Sequence, residues 1–389
     1  MKPILVINSG SSSLKFGLFL QQRGDEDPVL TGTVEGIGKQ CGRLSIFNAD
    51  GTTSYAENRS FASQKEALDC ITPQLKKTDW PAPLAIGHRM VHGGPHLVEH
   101  RRITPEVLQV LEQSLQFAPL HIPRALELIR HIAVLYPASP QFACFDTVFH
   151  RTLPESAFRF PIPERFFLQG VRRYGFHGLS FASIVHQLGE RLPPRTVIAH
   201  LGSGCSLAAL ENGVSVDTSM GLTPTGGVVM GTRTGDLDPG VVLFLMRSEK
   251  LDADTLESML NQNCGLAAFG GTNDMRELEF AAAKGERNAQ VAIDIFCRSI
   301  AKMVAAYAVV LGGLELLLFT GAIGEHSQQL RANICRRLSL LGIEIDDARN
   351  ALPDPIISKD GSTCTVRVAT SQEEKQIARH VRRLLTACE

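Results

Sequence analysis

This 389-residue chain has no basic excess: 39 Lys and Arg face 40 Asp and Glu, for a formal net charge of −1. That balance, without runs of like charge, argues against nucleic acid as a partner. Long apolar runs are also missing. The most apolar stretch, 303–319, is broken by Gly312, Gly313 and Glu315, so it reads as a helix end, a turn and a buried strand, and no membrane span is expected. The nine cysteines contain no C-x-x-C pair and are odd in number. Disulfides and structural zinc are therefore not expected, and reduced thiols in a cytoplasm are. The opening MKPILVINSG holds no signal-peptide core, which fits the same cytoplasmic expectation. His88, His92 and His96 are spaced four apart, but the Glu of a zincin helix is absent and Gly93, Gly94 and Pro95 break any helix. Neither a Walker loop nor a G-x-G-x-x-G fingerprint is present.

What is present is a Gly/Ser loop between two apolar stretches, "VINSGSSSLKFGLF" at 6–19. Ile4 to Ile7 is mostly β-branched, and Leu14, Phe16, Leu18 and Leu20 alternate with other residues. The spacing predicts a hairpin with residues 8–13 at its tip. Backbone N–H groups and hydroxyls of such a tip suit a phosphate, although an ordinary Ser-rich turn has the same composition. A second copy follows at 196–211, "TVIAHLGSGCSLAALE", and Glu211-Asn212-Gly213 then turns into a third strand at 214–216. Two such hairpins half a chain apart predict a duplicated α/β domain, with a phosphate loop on each wall of a cleft. Helices are expected over 107–116, 124–135, 182–192 and 287–311, and strands over 142–146 and 314–319. The latter runs into a Gly-rich loop at 320–325 that faces a ligand.

Four polar groups stand out: "GHRMVHGG" (87–94) with Arg89, "FDTVFH" (145–150) with Asp146, "RRYGFHG" (172–178) with His177, and "MGTRTGDLDPG" (230–240) with Arg233. Each alone also reads as a salt bridge, a capped turn or a satisfied histidine. Together, two arginines and several histidines beside phosphate loops describe a site for several negative charges, as phosphoryl transfer requires. No obvious general base accompanies them. A carboxylate acceptor, with a pKa of roughly 4 to 5, needs none at neutral pH.

These motifs, with "APLH" (118–121), "HLGSGCS" (200–206), "DTSMGLTP" (217–224), "NDMRELE" (273–279), "FTGAIGEHS" (319–327) and "SQEEKQIARH" (371–380), are collinear over nearly the whole chain. The sequence resembles the acetate kinase (acetokinase) family of the sugar kinase, chaperone and actin superfamily. The resemblance implies two duplicated ribonuclease-H-like domains with an interdomain active-site cleft. The N-terminal lobe would be 1–147, joined by a C-terminal helix at 374–389, and the nucleotide-binding and dimerisation lobe 148–373. It implies a homodimer, Mg2+ (or Mn2+), and reversible transfer of the ATP γ-phosphoryl group to acetate, giving acetyl phosphate and ADP. Propionate or another short carboxylate is the alternative acceptor, and a conformational ATPase the alternative class.

Carried over residue by residue, the resemblance implies that Arg89 and Arg233 hold the carboxylate and the phosphoryl group. His177 would bind that phosphoryl group, with His121 assisting. Asp146 would act through magnesium or by orienting an arginine, Glu373 would hold magnesium through water, and Asn8 would face the phosphates and the metal. Ser11, Ser13 and Lys15 would form the first phosphate loop, and His200, Leu201, Gly202, Ser203 and Gly204 the second. Asp274, Met275 and Arg276, with Gly321, Ala322, Ile323, Gly324 and Glu325, would line the adenosine site. Val91, Leu120, Phe176 and Pro224 would form the acyl pocket. The chain departs from the family's usual residues at Ile122, Leu179, Ser203, Ala322 and His326.

Overall fold

The computed structural model describes residues 2–10, 12–20, 27–77, 80–119, 121–352 and 355–387. By its contacts the chain divides into two units, one of Met1–Val148, Gly178–Ser183 and Gln372–Glu389, the other of Phe149–His177 and Ile184–Ser371. The sequence does not announce that Gly178–Ser183 goes with the first unit. Leu179 explains it: the side chain is buried with Phe142, Cys144 and Ile377. That departure from the family's usual residue is thus a packing residue.

The first unit is built on a sheet of order β5-β4-β3-β2-β1-β6-β8-β7. Its strands are β1 (Ile4–Ser9), β2 (Ser13–Phe19), β3 (Pro28–Glu35), β4 (Gly42–Asn48), β5 (Thr53–Arg59), β6 (Ala85–Met90), β7 (Arg101–Arg102) and β8 (Gln141–Phe145). Strands β1 to β5 form an antiparallel meander, and β1, β6 and β8 run parallel. In the second unit the strands are β9 (Arg195–Leu201), β10 (Cys205–Glu211), β11 (Val214–Thr218), β12 (Leu316–Thr320) and β13 (Thr365–Val368), in the order β11-β10-β9-β12-β13. Here too an antiparallel trio meets two parallel strands. The run β3-β2-β1-β6-β8 therefore recurs as β11-β10-β9-β12-β13, and the duplicated α/β fold read from the paired hairpins is present.

Side chains alternate across a strand. In the first sheet Ile4, Val6, Ala85, Phe142 and Cys144 pack against Ile377, Ala378 and Val381 of the C-terminal helix Glu373–Thr386. Leu5, Ile7 and Ile86 face the other way, onto Leu68 and Ile71 of helix Gln64–Lys76 and Leu128 and Ile132 of helix Ile122–Leu135.

Some boundaries differ from the sequence reading. The helix expected at 107–116 is Pro105–Gln113, because Thr104 caps it and Pro105 suits its first position. The helix expected at 182–192 is Gly178–Leu188, and it stops at Gly189, whose φ is 52°. The expected loop at 320–325 is largely the short helix Gly321–His326. Gly321 (φ 78°) lies against β9, where a Cβ would come 2.7 Å from the Leu201 carbonyl oxygen. No helix among the described residues is long and apolar enough to cross a membrane.

Candidate active site

In the first unit the parallel register sets the chemistry. Ile7 pairs with His88, and Arg89 with Cys144, so Asn8, Arg89 and Asp146 stand on one face at the carboxyl ends of three neighbouring strands. In open α/β sheets this edge is where ligands bind. The C-terminal helix covers the same face. A Cβ on Gly87 would come 2.6 Å from Ile377 and 2.8 Å from Val381, so this glycine lets the helix lie close. The helix thereby starts over Asn8. Asn8 Nδ2 donates to Glu373 Oε2 (2.9 Å) and Glu374 Oε1 (2.8 Å), and Asn8 Oδ1 accepts from Arg89 Nη1 (3.3 Å).

Asp146 is buried and grips Arg89 as a fork. Nε donates to both carboxylate oxygens (3.2 and 3.1 Å), and Nη2 to Oδ2 (2.7 Å). Glu373 Oε2 lies 3.6 Å from Arg89 Nη1. Burial disfavours the Arg89 charge, but Asp146 and Glu373 more than offset it, and the guanidinium is held firmly protonated. The Arg89–Asp146 contact supports the reading in which Asp146 orients an arginine.

Beside Arg89 lies a small cavity of about 10 Å³ lined by Gln64, Val91, His121 and Arg124 among others, none of them a carboxylate. His121 stands just before helix Ile122–Leu135, whose Ile122 is buried as its first residue. Ser13 and Lys15 lie on β2, and Asn8 pairs with Lys15. Ser11 and Leu120 fall outside the described residues.

In the second unit His177 sits at φ 57°, ψ 22°, in the left-handed region that few non-glycine residues occupy. Such a conformation persists only where the surroundings enforce it, and it clusters at functional sites. Its Nδ1 is 2.8 Å from Ser206 Oγ, and its ring stacks on His200 with centroids 4.3 Å apart. His200 and Ser206 are direct partners across β9 and β10, so the second hairpin forms the floor beneath His177. A Cβ on Gly204 would lie 3.3 Å from His177 Nε2 and 3.4 Å from Arg233 Nη1, which shows how closely both approach the hairpin tip.

Arg233 Nη1 also donates to the carbonyl of Pro224 (3.1 Å). Its loop is fastened at the start of helix Gly265–Gly270. The carbonyls of Met230, Gly231 and Thr232 accept from the N–H groups of Leu266, Ala267 and Cys264 (3.0, 3.0 and 3.1 Å). These bonds satisfy donors that a helix start leaves over. A Cβ on Gly231 would lie 3.4 Å from Asn273 Cβ and 3.5 Å from the Ser203 carbonyl oxygen, so the loop also joins the hairpin tip to the Asn273-Asp274 segment.

Asp274 caps the next helix and is gripped by Arg276 (Nε 3.0 Å, Nη2 2.5 Å), whose hydrogen bond pushes its carboxyl down to about 2. Met275 is buried, and Arg276 projects into solvent. Gly321 and Gly324 lie near Leu201, and Ala322 and His326 are exposed. Glu325 Oε1 accepts from the N–H of Gly321 (2.9 Å) and the N–H of Ser371 (3.2 Å). Its carboxylate is thus occupied in holding this helix. Arg331, which the sequence reading overlooked, donates to the carbonyls of Gly324 (2.9 Å) and Glu325 (2.8 Å) at the other end.

The sequence-derived residues thus gather as Asn8, Arg89, Asp146 and Glu373 in one unit, and as His177, His200, Gly204, Pro224 and Arg233 in the other. Of the residues expected to form an acyl pocket, Val91 lies beside Arg89, while Phe176 is fully buried and its carbonyl faces His150 Nε2 (3.1 Å).

Comparison with known proteins identifies the family of the chain. The model of the acetokinase family matches residues 3–379. An acetate kinase of Treponema denticola is 37% identical over 97% of this chain and 98% of its own. The crystal structure of Porphyromonas gingivalis acetate kinase superposes with a TM-score of 0.85 at 35% identity, covering 99% of this chain and 100% of that one. A propionate kinase from Francisella tularensis superposes with a TM-score of 0.88, also at 35% identity, covering 98% and 99%.

Proposed function

The chain belongs to the acetokinase family, which transfers phosphate to a carboxylate, and on that footing we propose that it carries the γ-phosphoryl group of ATP to acetate, forming acetyl phosphate and ADP. One observation supports this reading above the others. Arg89, locked by Asp146, presents a fixed cation beside the apolar Val91 and beside His121. A carboxylate acceptor arrives ionised at neutral pH and needs a cation and an apolar seat rather than removal of a proton.

In the forward reaction an acetate oxygen bonds to the γ-phosphorus as the bond to the β–γ bridging oxygen breaks, and ADP leaves with that electron pair. Arg89 holds the acetate carboxylate. Arg233 and His177 hold the phosphoryl oxygens, where charge spreads in the transition state. Ser206 fixes the His177 ring by its Nδ1, and Nε2, at the Gly204 turn, is the atom that would meet the phosphoryl group.

The divalent cation of this chemistry needs oxygen ligands. Around Asn8 the carboxylates of Asp146, Glu373 and Glu374 outnumber the Arg89 guanidinium. No group of three or more His, Cys, Asp or Glu side chains among the described residues forms a cage. Magnesium suits such a place, since it keeps several waters and uses one or two carboxylates plus phosphates. Glu373 would hold it through water beside Asn8, and when bound it neutralises charge on the phosphates.

The second unit carries apolar surface that supports a homodimer through this lobe. No residue of helix Pro239–Ser248 is buried, and Phe244 is 63% exposed, as is Phe280 at 64%. The free thiols, with no disulfide among the described cysteines, suit a cytoplasmic setting. The similarity to the Francisella enzyme makes propionate the second reading. A hydroxamate assay with ATP and acetate, propionate or butyrate tests the proposal. Acyl phosphate from acetate at the highest kcat/KM is expected. ATP hydrolysis without acyl phosphate would refute it.

A further inference from the structure

Gln64 is the first residue of helix Gln64–Lys76, a position from which a glutamine ordinarily reaches solvent. Here it is only 7% exposed. Its Nε2 donates to the carbonyl of Gly10 at 2.5 Å, spanning 54 residues of sequence. Its Oε1 is buried and accepts from no described protein group. A buried amide oxygen without a donor is costly, so this position demands one. Gln64 lines the cavity that Arg89, Val91 and His121 share, and the cavity's volume of about 10 Å³ is near the minimum for one water.

The bond to Gly10 belongs to a set. The Gly10 N–H donates to Ser13 O (2.8 Å) and the Ile37 N–H to Ser12 O (2.9 Å), so three carbonyls of the hairpin tip are engaged. In a planar trans peptide the C=O and N–H point opposite ways. Engaging the Ser12 and Ser13 carbonyls therefore fixes the N–H directions of Ser13 and Leu14, and engaging the Gly10 carbonyl fixes how Gly10 carries the chain out of β1. Of the three donors, only Gln64 is a side chain, so it is the one that sequence can change.

We propose that Gln64 is a positioning residue for nucleotide binding: its side-chain N–H sets the first phosphate loop through Gly10, while its Oε1 holds one water beside Arg89. This rests on reading the 8–13 hairpin as a phosphate loop.

The test is calorimetric titration of the full-length protein with MgADP. Gln64→Met keeps the length and removes both polar contacts. Its MgADP Kd should weaken about tenfold, the size of one good hydrogen bond. Gln64→Glu gives an independent readout. Its carboxylate cannot donate to Gly10 O, but its protonated form can. MgADP affinity relative to wild type should rise as pH falls from about 9 to about 5, the span over which a buried carboxyl gains its proton. A merely structural glutamine leaves that ratio flat. An unaltered MgADP Kd in folded Gln64→Met, or a flat ratio in Gln64→Glu, overturns the proposal. If Gln64→Met does not fold, the Gln64→Glu pH series decides. A wild-type protein that binds MgADP but forms no acyl phosphate refutes the acceptor reading alone. One that binds no MgADP removes both.

Discussion

Arg89 meets Asp146 through Nε and Nη2, and Glu373 and the oxygen of Asn8 through Nη1, within one side chain's reach. The Asp146 fork fixes the plane, which a lysine's point charge could not do. Truncating Arg89 would leave Asp146 buried without its partner and remove the cation for the acid. Arg233→Ala should lose about 10³-fold or more in kcat, the range of arginines on transferring phosphoryl groups, and Arg89→Ala, which gives up the acid, should lose most of its kcat/KM for acetate. Arg89→Lys should recover little, because the fork is lost. Steady-state acyl phosphate formation by folded variants is the check, and near-normal turnover in either alanine variant would take that arginine out of the chemistry. His177 is legible in the sequence as a histidine between an aromatic residue and a glycine. Its left-handed backbone and its bond to Ser206 are not, since both depend on β9 and β10 being paired beneath it.

The C-terminal helix is the element on which the first cluster depends. Its apolar stripe of Ile377, Ala378 and Val381 is readable as a helical period, but the face that it meets is set by β1, β6 and β8. Gly87 governs how closely it lies. Gly87→Ala would drive a methyl into Ile377 and Val381. Overpacking of this kind typically costs about 1–3 kcal/mol. Moving the helix start also moves Glu373 and Glu374 away from Asn8. The variant should show a lower denaturation midpoint together with a raised magnesium requirement. A stability loss without a change in the magnesium titration would separate the helix from the metal. Helix Pro239–Ser248 poses the opposite case, an apolar helix with nothing buried. Phe244→Glu should turn a dimer into monomers by sedimentation velocity, with acyl phosphate formation per chain as a companion readout. A wild type that sediments as a monomer at micromolar concentration would refute this assembly.

At the scale of the whole molecule, burial of neutral histidines ties stability to pH. His88 is enclosed with Gln141 (2.6 Å) and His150 with Ser215 (2.8 Å). Burial pushes each from 6.5 down to about 4. Between those values the unfolded chain binds a proton at each site and the folded chain does not. Stability should therefore be complete above pH 6.5 and fall toward pH 4, by up to about 1.4 kcal/mol per pH unit for each histidine. Chemical denaturation at pH 7, 6 and 5 measures the slope. His88→Gln, which keeps a polar partner for Gln141, should flatten it, and an unchanged slope would mean that His88 titrates alike in both states.

Sequence by itself determined the class, the duplication and most of the chemistry. Two Gly/Ser hairpins, an alternating strand pattern and four motifs with Arg89, Asp146, His177 and Arg233 are local signals, and local signals survive in one dimension. What only the tertiary structure decided is company. Asn8 and Glu373 are 365 residues apart in sequence and share a hydrogen bond because β1 and the C-terminal helix share one face. Gln64 has no motif around it and gains its place only when its helix packs beneath the hairpin. Leu179 looks like a departure beside the His177 motif until the core around Phe142 claims it. The physical reason is the same in each case. Residue type and spacing fix what a side chain can do, whereas burial, register and close packing fix which groups it does it to.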